Sequence, residues 1–310
     1  MAAQIPRATA SLISRSPGGS VSRAGGARFD GLSGPPLRSR RFPPVGTDTS
    51  RSGVPTAPYT LITITEHIAS LRLAVPEGGV SRAFLDALAG QCEALHDAID
   101  EVYAVVVTCT DGADGFASRW DDSMLADGAT PWASAPGAAL EALAGVPQPT
   151  IAAVVGGAHS VGLELALACD VRVCASDASF AMPETGLGLV AMGGGTQRLP
   201  RAVGRAHAMR MLLTGDEVDA QEALRIGLVS RVVPVGEHEA AAHAIAQAIA
   251  VKGPIATRYA KEAIARGADL PLQQGLRAEL DMTVILQSTA DRAEGVQAFV
   301  ERREPHFTGR

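Results

Sequence analysis

From Tyr59 onward the chain sorts its apolar residues into short runs and helical stripes. The segment TLITI alternates apolar and polar positions, and IASLRLAV follows it, which predicts two strands joined as a hairpin around Glu66-His67. Phe84, Leu88, Cys92 and Leu95 recur at helical spacing, and Ile99 and Val102 continue that face. The run Ala104–Thr110 (AVVVTCT) predicts a buried strand, followed by the loop DGADGFASRWDDSM. Thr130–Gly145 reads as a loop and then a helix. Between Thr150 and Glu184 the pattern is densest. A β-branched run, Ile151–Val155, gives way to Gly156-Gly157, then a helical segment from Val161 to Cys169, then a second apolar run, Val171–Ala175. Strand, glycine turn, helix and strand in that order predict a βαβ-like unit. The segment LGLVAMGGGTQRLPRAVG is glycine-rich. Asp219 with Glu222 three positions on forms a capping-box pattern for AQEALRIG, Gly227 suits the position after its end, and VSRVVP is a short strand. Four helices complete the chain: Glu237–Val251, Pro254–Arg266, Pro271–Gln287 and Asp291–Arg302.

The first 58 residues are different material. They carry eight arginines and many Ser, Gly and Pro residues, with Asp30 and Asp48 the only acids, and no amphipathic period, which predicts disorder. Such an Arg- and Ser-rich, acid-poor leader resembles an organelle transit peptide; a start codon set too early in a GC-rich bacterial gene is the simpler account. The expected leader therefore covers 1–58. With 310 residues the chain can bury a sizeable core, and 46% hydrophobic with 19% charged residues is an ordinary globular balance. A formal net charge of −6 argues against nucleic acid or an acidic membrane surface as partner. Lysine occurs only at Lys252 and Lys261. Cys92, Cys109, Cys169 and Cys174 form no CxxC pair and lie in apolar segments, so they read as buried thiols of a reducing compartment rather than a metal or disulfide site. That compartment is the cytoplasm, or the mitochondrial matrix if the leader is a transit peptide. The longest apolar stretch is interrupted by His159, Glu164 and Asp170, which marks it as core rather than membrane span.

Two carboxylates stand among apolar neighbours. Glu164 falls in the first turn of a helix whose free backbone N–H groups face the glycine turn, a setting that stabilises negative charge on a bound carbonyl. The same position also suits a charge that merely favours the helix dipole from an exposed face. Glu184 follows Pro183, and taken singly it fits a loop carboxylate. Two glutamates meeting in an apolar pocket would have their pKa values pushed apart, giving one acid and one base. A rival chemistry rests on Ala158-His159-Ser160-Val161-Gly162, one residue away from a nucleophile elbow, with Ser160 as nucleophile and His207, His238, His243 or His306 as base. The loop around Trp120 follows a buried strand, where α/β proteins place binding loops; an ordinary exposed loop anchored by Phe116 and Trp120 is the alternative. Gly193-Gly194-Gly195-Thr196 reads as tight helix–loop packing or as a phosphate cradle, though no lysine follows it.

Several of these segments together resemble the enoyl-CoA hydratase/isomerase (crotonase) superfamily, from about Leu61 to Phe307. They are PQPTIAAVVGGAHSVGLELALACDVRVC, FAMPETGLGLVAMGGGTQRLPRAVG, AMRMLLTGDEVDAQEALRIGLVSRVVP and DRAEGVQAFVERREPHF, in the family's order and spacing. The resemblance implies an α/β fold, a crotonase-like ββα spiral core over 59–250 with a C-terminal helical trimerisation region over 251–310, and a homotrimer or a hexamer made of two. It implies hydration of a trans-2-enoyl-CoA to a 3-hydroxyacyl-CoA, with coenzyme A as part of the substrate and no metal or redox cofactor. It places the catalytic pair at Glu164 and Glu184, the two oxyanion N–H donors at Trp120 and Val161, and substrate contacts at Ala117, Ser118, Gly157, Gly188 and Lys261. It makes Ser160 a replacement for a glycine rather than a nucleophile. An isomerase or other acyl-CoA enzyme of the same fold, or a catalytically silent acyl-CoA-binding relative, are the alternatives. Ser160, Val161 and Arg119 stand where the family usually has glycine, and with so few lysines the coenzyme's phosphates fall to arginines such as Arg72 or Arg82.

Overall fold

The computed structural model describes residues 59–109, 115–126 and 134–310; the leader expected over 1–58 and parts of two loops lie outside the described residues. The described residues from 59 on belong to one compact unit. The hairpin forms as the alternation predicts, with β1 (Thr60–Thr65) antiparallel to β2 (Ile68–Leu73). Its two turn residues, Glu66 and His67, both have positive φ (49° and 64°), as a two-residue turn matched to strand twist requires. The His67 ring stacks on Tyr103, with centroids 4.3 Å apart.

Helix α1 (Arg82–Asp97) starts where the Ser81 hydroxyl accepts the Phe84 amide, and its Phe84, Leu88, Cys92 and Leu95 stripe is buried. It leads into β3 (Ala104–Cys109), buried at all six positions, which suits a strand with covered faces on both sides. After the short α2 (Asp122–Ala126) and α3 (Ser134–Ala144) come β4 (Thr150–Val154), β5 (Gly157–His159), α4 (Val161–Ala168) and β6 (Val171–Ala175). Strands β7 (Ser179–Ala181) and β8 (Val218–Asp219) follow, separated by a 3-10 turn over Glu184–Leu187 and by α5 (Gly195–Thr214). Then come α6 (Ala220–Arg225), β9 (Arg231–Val233), α7 (His238–Ala250), α8 (Pro254–Gly267), α9 (Leu272–Leu286) and α10 (Ala290–Glu301).

The main sheet runs β1-β2-β3-β4-β6-β9, parallel from β2 onward; a second sheet runs β5-β7-β8. The βαβ unit read from the sequence is therefore present, with β4 and β6 adjacent and parallel. It also carries an extra strand, β5, that leaves the main sheet and pairs with β7. Alternating residues of β3 and β4 divide between two cores. Ala104, Val106, Ile151 and Ala153 pack against Ala241, Ala242 and Ala246 of α7, and Val105, Val107, Ala152 and Val154 join the larger core with α1, α3, α4 and the small sheet. Helix α4 is buried at all eight residues, so one of its turns can place a charge only deep in the protein.

The Asp219 cap forms, its carboxylate accepting the Glu222 amide at 2.8 Å, while the Glu222 side chain turns to Arg225 and Arg210 instead of closing the box. All four cysteines are free and buried, and burial pushes the Cys92, Cys169 and Cys174 thiols up to about 12.

Candidate active site

The site is built where the turn after β4 meets the loop after β3. Ser160 precedes α4 with φ 53° and ψ −122°, backbone that L side chains rarely adopt, and its hydroxyl makes no capping bond. Its amide donates to Ala181 O at 2.9 Å, fixing the turn to β7. The first α4 turn then leaves the N–H groups of Val161, Gly162 and Leu163 without intrahelical acceptors. Glu164 N is the first to close a helical bond, to Ser160 O at 3.1 Å. Val161 is fully buried and helical, so its side chain imposes no backbone strain on the donor it carries.

The 115–120 loop is stitched to this turn. Phe116 N donates to Gly157 O at 2.8 Å, and the Phe116 and Ala117 carbonyls close on Gly162 so tightly that a Cβ there would collide with Phe116 O. Gly162 is thus the residue that lets the two loops touch. Trp120 sits in a parallel bridge with Val80: Val80 N donates to Arg119 O at 2.9 Å and Asp121 N to Val80 O at 3.0 Å. In such a bridge the bonded groups belong to the neighbours of Trp120, and its own N–H points away from Val80. Arg119, at the glycine-like position before it, is exposed and donates to Glu77 O, which ties the loop to the segment after β2.

Glu164 is 1% exposed. Its Oε1 accepts the amides of Gly193 at 2.7 Å and Gly195 at 2.8 Å, while Oε2 has no partner among the described residues. Burial raises its pKa to about 7; the two amides pull the other way, Glu184 adds to the rise, and Arg198 opposes it. Glu184, 3% exposed at the start of the 3-10 turn, has neither carboxylate oxygen bonded among the described residues. It also lines an apolar cavity of about 430 Å³ with Val190, Ala191, Pro200 and Met209. Among the described residues, three buried carboxylate oxygens on these two acids have no partner and can accept from a water, beside the amides of Val161, Gly162 and Leu163 that have no intrahelical acceptor.

Of the positions singled out from the sequence, Glu164, Glu184, Val161, Trp120, Ala117, Ser118 and Gly157 fall on these two joined loops and the turn that faces them. Gly188 is the exposed left-handed end of the 3-10 turn, its N–H donating to Thr185 O at 3.1 Å. Lys261 is engaged elsewhere: its ammonium lies 2.7 Å from Asp170 Oδ2 and donates to Gln148 O at 3.1 Å. Arg72 and Arg82 are engaged too, Arg72 by Glu239 at 2.9 Å and Arg82 by Asp86 at 3.0 Å. The triglycine run is tightly packed, a Cβ on Gly193 meeting Leu140, and two of its amides hold the carboxyl of Glu164. Arg198, unnoticed in the sequence, braces that run. Among the described residues no histidine is bonded to Ser160: His243 pairs with Ser70, and both His238 ring nitrogens lack partners.

The sequence profile of the enoyl-CoA hydratase/isomerase family matches residues 63–310. The probable enoyl-CoA hydratase 2, mitochondrial, of Arabidopsis thaliana is 47% identical over 161 residues, 52% of this chain and 54% of that protein. The mitochondrial methylglutaconyl-CoA hydratase of Rattus norvegicus is 43% identical over 183 residues, 58% of each. The chain thus spans a little over half the length of these two curated relatives. A crystal structure of enoyl-CoA hydratase from Bacillus anthracis superposes with a TM-score of 0.77 at 36% identity, covering 81% of this chain and 100% of that one.

Proposed function

Because the chain belongs to the enoyl-CoA hydratase/isomerase family, we propose that it is an enoyl-CoA hydratase, adding water across a trans-2-enoyl-CoA to give a 3-hydroxyacyl-CoA. The observation that carries this reading is the convergence of Glu164 and Glu184, both buried and with three of their four oxygens unpartnered, beside the free amides at the start of α4. In the proposed reaction the thioester carbonyl accepts the N–H groups of Trp120 and Val161, which hold the enolate-like charge that develops there. A single such donor is typically worth roughly 10²–10³ in rate. Glu164, fixed by two amides through one oxygen, keeps the other free to orient a water and take its proton as the oxygen adds to C3. Glu184 delivers a proton to C2. The chemistry runs on these groups, with coenzyme A entering as part of the substrate.

The C-terminal helices support an oligomeric reading. Helix α9 has no buried residue, and Leu272, Leu276, Leu280 and Val284 recur every four positions along one exposed stripe; Phe299 of α10 is 84% exposed. Stripes of this kind are covered by further copies of the chain in a homotrimer or hexamer. No helix among the described residues is long and apolar enough to cross a membrane.

The reading is tested by following the ultraviolet absorbance of the enoyl thioester with crotonyl-CoA and longer 2-enoyl-CoA esters, beside a 3-enoyl-CoA. Loss of absorbance with the 2-enoyl esters supports the hydratase. Turnover of the 3-enoyl ester alone would replace it with an isomerase, and no turnover of either would leave a silent binding protein.

A further inference from the structure

We propose that Arg198 is a positioning residue for Glu164, acting through the Gly193–Gly195 loop that it clamps against α3. The inference rests on the reading of Glu164 as the catalytic base. The two amides that hold Glu164 come from a run of three glycines, a segment with more backbone freedom than any other three residues would have. Something must hold that run in one shape if the carboxylate is to stay in one place.

Arg198, in the first turn of α5, meets that need. Its Nη1 donates to Gly193 O at 2.8 Å and its Nη2 to Glu141 Oε2 of α3 at 2.8 Å, so the planar fork bridges loop and helix. The loop is wrapped around the guanidinium: Gly194 has φ +106°, and a Cβ there would collide with Arg198 Nη1. Gly194 O in turn accepts the amides of Gln197 and Arg198 at 2.9 and 2.8 Å. The loop is therefore pinned at Gly193 by a side chain and at Gly194 by backbone, and both pins belong to the same turn. The charged groups facing Glu164 are Glu184 from the 3-10 turn and Arg198 from α5, with Glu141 reached only through Arg198. Removing the Arg198 cation thus loosens the amide cradle and strips an opposing charge at once, and both effects disfavour the ionised carboxylate.

The test compares wild type with Arg198→Gln, Arg198→Lys and Glu141→Gln. The first readout is the pH dependence of kcat and kcat/KM with crotonyl-CoA. Arg198→Gln should lower kcat by about 10²-fold, the cost of a base misplaced by about 1 Å, and move the acid limb of kcat/KM to higher pH, with KM within about threefold. Arg198→Lys keeps the charge and loses the fork, so the acid limb should return toward wild type while kcat stays low. Glu141→Gln should shift both in the same direction by less. The second readout needs no substrate: NMR titration of ¹³C-carboxyl-labelled glutamates, with the Glu164 signal assigned by its loss in Glu164→Gln. Its midpoint should rise in Arg198→Gln. A wild type without turnover would sink the hydratase reading and leave the titration to decide this one. An unmoved Glu164 midpoint in Arg198→Gln would overturn the proposal, as would a fall in the kcat of that variant with an unmoved acid limb. If Arg198→Gln does not fold, Glu141→Gln decides it: a Glu164 midpoint that does not rise there overturns the proposal.

Discussion

Glu164→Gln should make stability less dependent on pH. In the folded state burial holds the Glu164 proton up to about pH 7, against 4.5 ordinarily. Between those values the folded protein keeps a proton that the unfolded chain has released, so stability falls as pH rises through that window. The contribution is fully present below pH 4.5 and gone above 7. At about 1.4 kcal/mol per pH unit the loss amounts to about 3 kcal/mol, a large share of a typical folding free energy. Glutamine does not ionise and keeps a carbonyl oxygen to accept the Gly193 and Gly195 amides, so the variant lacks this slope. It does bury an amide where Oε2 has no partner, which costs roughly 1–3 kcal/mol at every pH alike. The test is therefore the difference between the two proteins rather than either value alone. Urea unfolding followed by circular dichroism, at one fixed protein concentration, gives that difference between about pH 4 and pH 8. It should move in the variant's favour by about 3 kcal/mol. Curves that stay parallel within about 0.5 kcal/mol would show that the Glu164 carboxyl is not desolvated, and the reasoning would fail.

Gly162→Ala places a Cβ against the Phe116 and Ala117 carbonyls; it should destabilise by about 1–3 kcal/mol and lower kcat about 10²-fold by displacing the Trp120 loop, read by unfolding and by rate. Ser160→Gly relieves backbone at φ 53° and ψ −122°, so the urea midpoint should rise by the equivalent of about 1 kcal/mol with the rate retained. Lys261→Met leaves Asp170 without its cation and should cost roughly 2 kcal/mol, Asp170 being about a third exposed. KM for the enoyl-CoA should change less than about twofold; a tenfold rise would put the ammonium on the substrate instead.

The long elements were legible because their periodicity runs over many residues. Helix α1, strands β3, β4 and β6, and the four C-terminal helices all stand where the apolar spacing places them, within a few residues. What escaped was short or internally interrupted. Strands β5, β7 and β8 span two or three residues, too few to show a period of two, and they exist because the small sheet pairs segments far apart in the chain. Helix α5 carries Pro200 inside it and breaks at Gly204, and its first ten residues read only as part of a glycine-rich segment. The site was half legible. Glu164 and Glu184 stood out as acids in apolar surroundings, but spacing along a chain carries no distance between them. The bonds of the glycine run to Glu164 were not legible, because that carboxyl lies 29 residues earlier, on another helix.

The central claim is that Glu164 and Glu184 together add water to an enoyl thioester. Crotonyl-CoA hydration by the wild type, Glu164→Gln and Glu184→Gln at one pH above 7 tests it most directly. Each substitution removes a proton-transfer group while preserving size, so each should lower kcat by about 10²–10⁴-fold with KM little changed. Either variant turning over within about tenfold of the wild type would contradict the account.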